Sequence, residues 1–272
     1  SMTPVWEDQA LGEISVLNLC GYYGFSRYDR AFVQKCRERG ICILEDSTHS
    51  VLSLDGISPD ADYITGSLRK WIGVPSGGFL IKRRGKLTLE LLPFHQEHLD
   101  MRRGAMETKK KSTTEPGSVS QEALEAAEAT FWQAESLLRQ IFDCCQSDPD
   151  SVQIMRRFPV ERIRNLRREN YQRLLSVFPK SPLCVPVFPL LDEATVPSHF
   201  TVLAQRRNDL QSFLKEQGIH TTAYWDKSAL ADTSRCPQAQ YIYDHVLSLP
   251  CDQRYTPADM DRIAGAVAQF CQ

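Results

Sequence analysis

The chain has 272 residues, 42% of them hydrophobic and 24% charged, enough to bury a core in one large or two ordinary domains. Its 32 basic and 34 acidic residues leave a net charge of −2, so no general attraction to nucleic acid or to an anionic membrane is expected. No apolar run is long enough to cross a bilayer and no charged-then-apolar leader opens the chain, so a cytosolic protein is the expectation, with Ser1-Met2 read as a cloning scar.

The first third alternates strand with helix. "ISVLNLCG" reads as a short buried strand, and "YDRAFVQKCRERG" places Phe32, Val33 and Cys36 at helical spacing, with Ser26 as cap and Gly40 as stop. "ICILED" is a nearly continuous apolar strand of the kind that both faces of a parallel sheet cover. After Ser47, about fifteen residues rich in Ser, Gly, Pro and Asp lead to "DYITGS", enough for a crossover to a parallel neighbour. "GGFLIKR" follows too soon for a helical crossover and is expected to be antiparallel, which makes the sheet mixed.

From Lys86 to about Cys145 the pattern is helical, interrupted by the polar "TKKKSTTEPGS", with "TKKKST" expected as an exposed loop. Ser118 or Ser120 can cap "QEALEAAEATFWQAESLLRQIF", where Leu124, Ala127, Phe131, Ala134 and Leu138 recur at helical intervals. "SDPDS" reads as a linker, "VERIRNLRRENYQRLLSVF" as a long helix and "PKSPLCVPVFP" as a loop. The last part reads as a compact α/β unit: strand "HFTVLA", helix "RRNDLQSFLKEQG", strand "IHTTAYW", strand "HVLSLP", and a final helix that Thr256 caps and Pro257 opens.

Asp46 ends one strand and Lys70 lies near the end of the next. In open α/β sheets ligands bind at the carboxyl ends of strands, so both side chains can face one crevice; alternatively, Asp46 caps a turn and Lys70 is a solvated loop residue. The pattern "ILEDSTHS…ADYITGSLRKWIGVPSGGFLI" resembles the core of fold-type-I pyridoxal-phosphate enzymes of the DegT/StrS aminotransferase type. "RRNDLQSFLKEQGI" and "HVLSLPCDQRYTPADMDRIAGAV" are similar to that family's closing segments, in the same order.

The resemblance implies an α/β fold: a fold-type-I mixed sheet layer with a smaller C-terminal α/β domain. Its parts are a partial cofactor domain at 3–93, linking helices at 94–178 and the small domain at 179–272. It implies pyridoxal 5'-phosphate as cofactor, Lys70 as the lysine that forms the Schiff base and moves protons, and Asp46 as partner of the pyridine nitrogen. A carboxylate keeps that nitrogen charged, so the ring becomes an electron sink, and a desolvated lysine is a neutral nucleophile. By the same likeness His49 reaches the cofactor's phenolic oxygen, or else is a structural histidine, and Ser67 or Thr65 donates to the phosphate. Arg69 offers a charge beside these hydroxyls, although its strand neighbours are expected to point it away.

The resemblance implies a reaction that moves an amino group from a small-molecule donor to a keto acceptor, a keto-sugar, free or nucleotide-linked. The implied assembly is a homodimer or a pair with a partner chain. Two departures stand out. Gly21 replaces the histidine of the family's "H-x-x-G" turn, and "SMTPVWEDQALGE" holds no small-residue phosphate loop. The alternatives are therefore a truncated chain, a noncatalytic paralog, or one partner of a split enzyme that keeps the scaffold for association.

Other signals are weaker. Arg156, Arg157, Arg162, Arg164, Arg167, Arg168 and Arg173 offer either a phosphate surface or the solvated face of a connecting helix, and the absence of a binding motif favours the solvated face. The tyrosine pair Tyr22-Tyr23 is expected in sheet packing, and Tyr224 with Trp225 either borders a substrate or packs in the core. Asp252, Gln253 and Arg254 are left between a structural role and one near a substrate carboxylate. Nine cysteines without a CxxC pair, Cys144-Cys145 among them, suggest neither a disulfide framework nor a zinc site.

Overall fold

A computed structural model describes residues 11–142, 145–224, 227–234 and 236–272. Trp225, Cys144 and residues 3–10 of the expected cofactor layer lie outside the described residues.

In chain order the elements are β1 (Val16–Cys20), α1 (Arg30–Glu38), β2 (Cys42–Asp46), β3 (Tyr63–Ser67), β4 (Gly78–Lys82), α2 (Gln96–Thr114), α3 (Gln121–Leu138) and α4 (Pro149–Arg156). Then come α5 (Val160–Val177), β5 (Cys184–Pro186), β6 (Phe200–Ala204), α6 (Arg207–Glu216), α7 (Pro237–His245), β7 (Val246–Leu249) and α8 (Pro257–Phe270). They divide into two compact units, one from Ser1–Ala61 with Pro159–Gln272 and the other from Asp62–Phe158.

In the first unit β1 and β2 pair in parallel, in register from Val16 opposite Cys42 to Cys20 opposite Asp46. A parallel pair needs a crossover, and α1 supplies it by burying Phe32, Val33 and Cys36. Its cap is Asp29 instead of Ser26: the carboxylate accepts from the backbone N–H of Ala31 at 2.8 Å and of Phe32 at 3.3 Å.

The C-terminal part of this unit is an antiparallel sheet, β5-β6-β7, with Phe200 opposite Leu249 and Cys184 opposite Ala204. Tyr171, Leu174, Leu210, Leu214 and Met260 bring α5, α6 and α8 onto its core, and Tyr23 and Phe25 join it from the loop after β1. The final helix begins as read, with a complete capping box between Thr256 and Asp259 behind Pro257. "PKSPLCVPVFP" yields the short edge strand β5, where proline is tolerated. The expected strand "IHTTAYW" is reduced to one bridge, Thr222 with Ser248, among its described residues.

In the second unit β3 and β4 are antiparallel, with Tyr63 opposite Lys82 and Ser67 opposite Gly78. Helices α2 and α3 pack on each other, and Ser120 caps α3 through the N–H of Ala123 at 3.2 Å. "TKKKSTT" is helical and not a loop: Ser112, Thr113 and Thr114 turn their hydroxyls back onto carbonyls three or four residues earlier. "SDPDS" is a helix start and not a linker. Asp148 caps α4 and also meets Ser76 Oγ at 2.6 Å and Arg103 Nη2 at 3.1 Å, so it fastens the β3–β4 loop.

Candidate functional site

Asp46 closes β2, and its side chain accepts from the N–H of Thr48 at 2.9 Å while Gly21 N–H donates to its carbonyl at 3.2 Å. That Asx turn starts the tight run Ser47–Val51, where Ser50 and Val51 both donate to the carbonyl of Ser47. The run turns His49 inward, to 2% exposure.

Around His49 the first unit gathers three more rings. The ring centres of Tyr23, His199 and Tyr224 lie 6.2, 6.1 and 5.7 Å from it, and His199 and Tyr224 are 5.0 Å apart. Tyr23 donates its hydroxyl to the carbonyl of Tyr224 at 3.0 Å, and burial raises its phenol pKa. It adopts φ +58°, a left-handed backbone that costs a residue with Cβ about 1–2 kcal/mol. His199 Nδ1 shares a hydrogen bond of 3.0 Å with Ser198 Oγ.

Of the tyrosine pair, then, Tyr23 is interior and Tyr22 is 43% exposed. Gly21 also has a physical reason: a Cβ there would stand 2.4 Å from Ser50 Oγ, so the turn leaves no room for a side chain. Sequence reasoning missed His199, which lies 150 positions from His49 and carries no local motif.

It also missed Glu45. Period-two alternation aims it to the face opposite Asp46, where it is fully buried, with the Tyr28 hydroxyl donating to one oxygen and Ser58 N–H donating to the other at 2.6 Å. Burial first, and then the Glu45 bond, raise the Tyr28 phenol.

Thr65, Ser67 and Lys70 belong to the second unit. Thr65 and Ser67 are two apart on β3, so both hydroxyls leave the same face. The strand runs into a single 3-10 turn, Leu68–Lys70, that Lys70 closes. Lys70 is exposed by area, yet its ammonium pKa is lowered, chiefly because surrounding protein displaces water. Arg69 and Arg102 push the same way, and Glu135 opposes them. Arg69 has a definite contact, Nη1 to Glu135 Oε1 at 3.2 Å.

The arginine-rich helix differs from the expected solvated face. Arg167 is 4% exposed and donates to Gln253 Oε1 at 2.6 Å and to the carbonyls of Pro197 and Ser198 at 3.2 and 3.1 Å. Arg168 donates to the carbonyls of Asp192 and Thr195, and Arg164 to that of Leu52. Asp252 and Arg254 are paired by two bonds of 2.8 Å. These groups brace loops.

Among the described residues no group of three or more metal-ligating side chains occurs, and no helix is long and apolar enough to cross a membrane. Within the second unit, an amine whose ammonium is destabilised and two hydroxyls on one strand face could hold a ligand with a carbonyl and a phosphate; Asp46, a carboxylate at a strand end, belongs to the first unit.

Residues 154–268 match the model of the DegT/DnrJ/EryC1/StrS aminotransferase family. Among solved structures, the DegT DnrJ EryC1 StrS aminotransferase of Brucella abortus is 14% identical over 93% of this chain and 63% of its own, with TM-score 0.54. DesV of S. venezuelae, solved with a ketimine intermediate, is 17% identical over 94% of this chain and 65% of its own, with TM-score 0.56. DesI, solved with its TDP-sugar product, is 16% identical over 97% and 65%, with TM-score 0.59. The chain thus spans just under two thirds of the length of these proteins. No curated protein matched. The fold is the fold-type-I aminotransferase scaffold, and the family's sequence pattern is carried by the C-terminal segment.

Proposed function

We propose that this chain is a pyridoxal 5'-phosphate-dependent aminotransferase that delivers an amino group to the carbonyl of a sugar, attached to a nucleotide. The observation that carries the reading is Lys70: an amine whose ammonium is destabilised, on a strand-end turn of a fold-type-I scaffold. The TDP-sugar product named for DesI supports the acceptor class.

When bound, the cofactor supplies an aldehyde for the amine and a ring that accepts electrons. Lys70 would hold the cofactor through its Nζ and, once released, would move a proton at the substrate carbon that bears the amine. Asp46 holds a negative charge for the pyridinium nitrogen, and its bond from Thr48 N–H fixes the carboxylate's orientation. Thr65 and Ser67 donate hydroxyl protons to the phosphate. His49 would hold the ring's phenolic oxygen. Residues 3–93 provide the cofactor layer, 94–178 the linking helices and 179–272 the small domain. The enzyme works in the cytosol as a homodimer or with a partner chain.

The test is the absorbance spectrum of the purified chain with pyridoxal 5'-phosphate, then borohydride reduction and peptide mapping, with Lys70→Ala alongside. A visible band and a reduced adduct on Lys70, absent in the variant, support the reading. No adduct, or equal labelling in Lys70→Ala, refutes it for this chain alone and favours a noncatalytic scaffold or a subunit of a split enzyme.

A further inference from the structure

The second unit carries an open sheet edge. β4 pairs with β3 along one side, and no described residue pairs with its other side. The register fixes which groups are left over. Arg83 N–H donates to the Asp62 carbonyl at 2.9 Å and Leu68 N–H to that of Gly77 at 3.2 Å. In this antiparallel ladder Phe79 and Ile81 therefore turn their backbone groups toward β3, while Gly78, Leu80 and Lys82 turn theirs away. Such a row is a template for another strand.

Apolar side chains crowd the same stretch. Leu80, Ile81, Leu87, Leu89, Leu91 and Phe94 are each between 36% and 54% exposed. After the turn at Gly85, whose φ is +77°, "LTLEL" alternates apolar with polar as a half-buried strand does, yet its three leucines are exposed. Six such side chains expose on the order of 500 Å² in each copy of the chain, so joining two copies would remove about 1,000 Å² from water, the size at which specific interfaces begin.

Charge selects the partner and the register. β4 is preceded by the uncharged Ser76 and Gly77 and followed by Arg83 and Arg84. In an antiparallel pair of two β4 strands centred on Leu80, Leu80 meets its own copy, Phe79 meets Ile81 and Gly78 meets Lys82, while Gly77 and Ser76 meet Arg83 and Arg84. No two cations face each other. A parallel pair in register, or an antiparallel one centred on Lys82, sets cation against cation. The pair centred on Leu80 is self-complementary, as a twofold interface must be.

We propose that two copies of this chain associate through antiparallel pairing of their β4 edges about Leu80, covering the leucines of 87–91 in the same interface. Association by this edge needs no cofactor, so its failure and a failure of the aldehyde chemistry are separate results.

Sedimentation velocity of the full chain over about two decades of concentration should show a monomer-dimer equilibrium. Leu80→Lys and Leu80→Glu each put like charges on the twofold axis and should weaken the dimer about tenfold or more. Mixed in equal amounts, the two variants should re-form a dimer, because opposite charges then meet. Leu80→Pro removes only an N–H that faces away from β3, so it should dissociate the dimer while the dilute chain keeps the parent's far-UV circular dichroism. Leu190→Lys, at an exposed position of the first unit, should dimerise as the parent does. A parent that stays monomeric throughout, whether or not it then holds a different polypeptide, overturns the proposal. So does a dimer that Leu80→Lys and Leu80→Pro leave intact, or a mixture no more dimeric than its components.

Discussion

Arg167 gives the sharpest test of how the α5 arginines act. Replacing it with Met keeps the volume and removes the charge. Three acceptors lose their donor: the carbonyls of Pro197 and Ser198 and the side chain of Gln253. Gln253 can turn to water, but the two carbonyls belong to a buried loop and cannot. Each orphaned group costs about 1–3 kcal/mol, and Asp252 keeps its own bidentate partner in Arg254, so the total is about 3–5 kcal/mol. Arg162, exposed on the same helix, should change stability by no more than about 0.5 kcal/mol when replaced by Ala. With a urea slope of about 3 kcal/mol/M, Arg167→Met lowers the unfolding midpoint by about 1 M or more while Arg162→Ala leaves it in place. The same variant should shift the His199 ring resonances, because the lost bonds anchor the two residues before it. If Arg167→Met lies within about 1 kcal/mol of the parent, or Arg162→Ala is as damaging, the bracing argument is wrong.

Three further outcomes are expected. Gly24→Ala should cost about 3 kcal/mol or more and show as a depressed melting temperature, because Gly24 has φ +98° and a Cβ would stand 2.1 Å from the carbonyl oxygen of Val196; a change under about 0.5 kcal/mol would contradict the packing. The His98 imidazole is held below its ordinary value by burial first, then by Arg102, Arg69 and His95, against Glu135, so the unfolded chain binds its proton more readily. The stability it confers is complete above the unfolded pKa of 6.5 and declines as pH falls through that value toward the folded one; urea titrations from pH 8 to 5 should show this decline, and His98→Gln should flatten it. Asp46→Asn should cut transamination by about 100-fold or more while the reduced adduct on Lys70 still forms, and unchanged turnover would remove Asp46 from the reaction.

The parts that were legible are those where one periodicity dominates. β1, β2, β3 and β4 stand where apolar runs predicted them, and α8 starts at a threonine and a proline whose stereochemistry permits little else. Asp148-Pro149 was misread because the same residues that make a linker also make a cap and a first helical position. In α5, Ile163, Arg167, Asn170, Tyr171 and Leu174 recur at three- and four-residue spacing and are all buried. That rhythm is present in the sequence, but it is overlaid by exposed arginines at other phases of the same helix. The rings around His49 had no such signal, because backbone pairing and a loop braced by Arg167 bring His199 and Tyr224 to it from far along the chain.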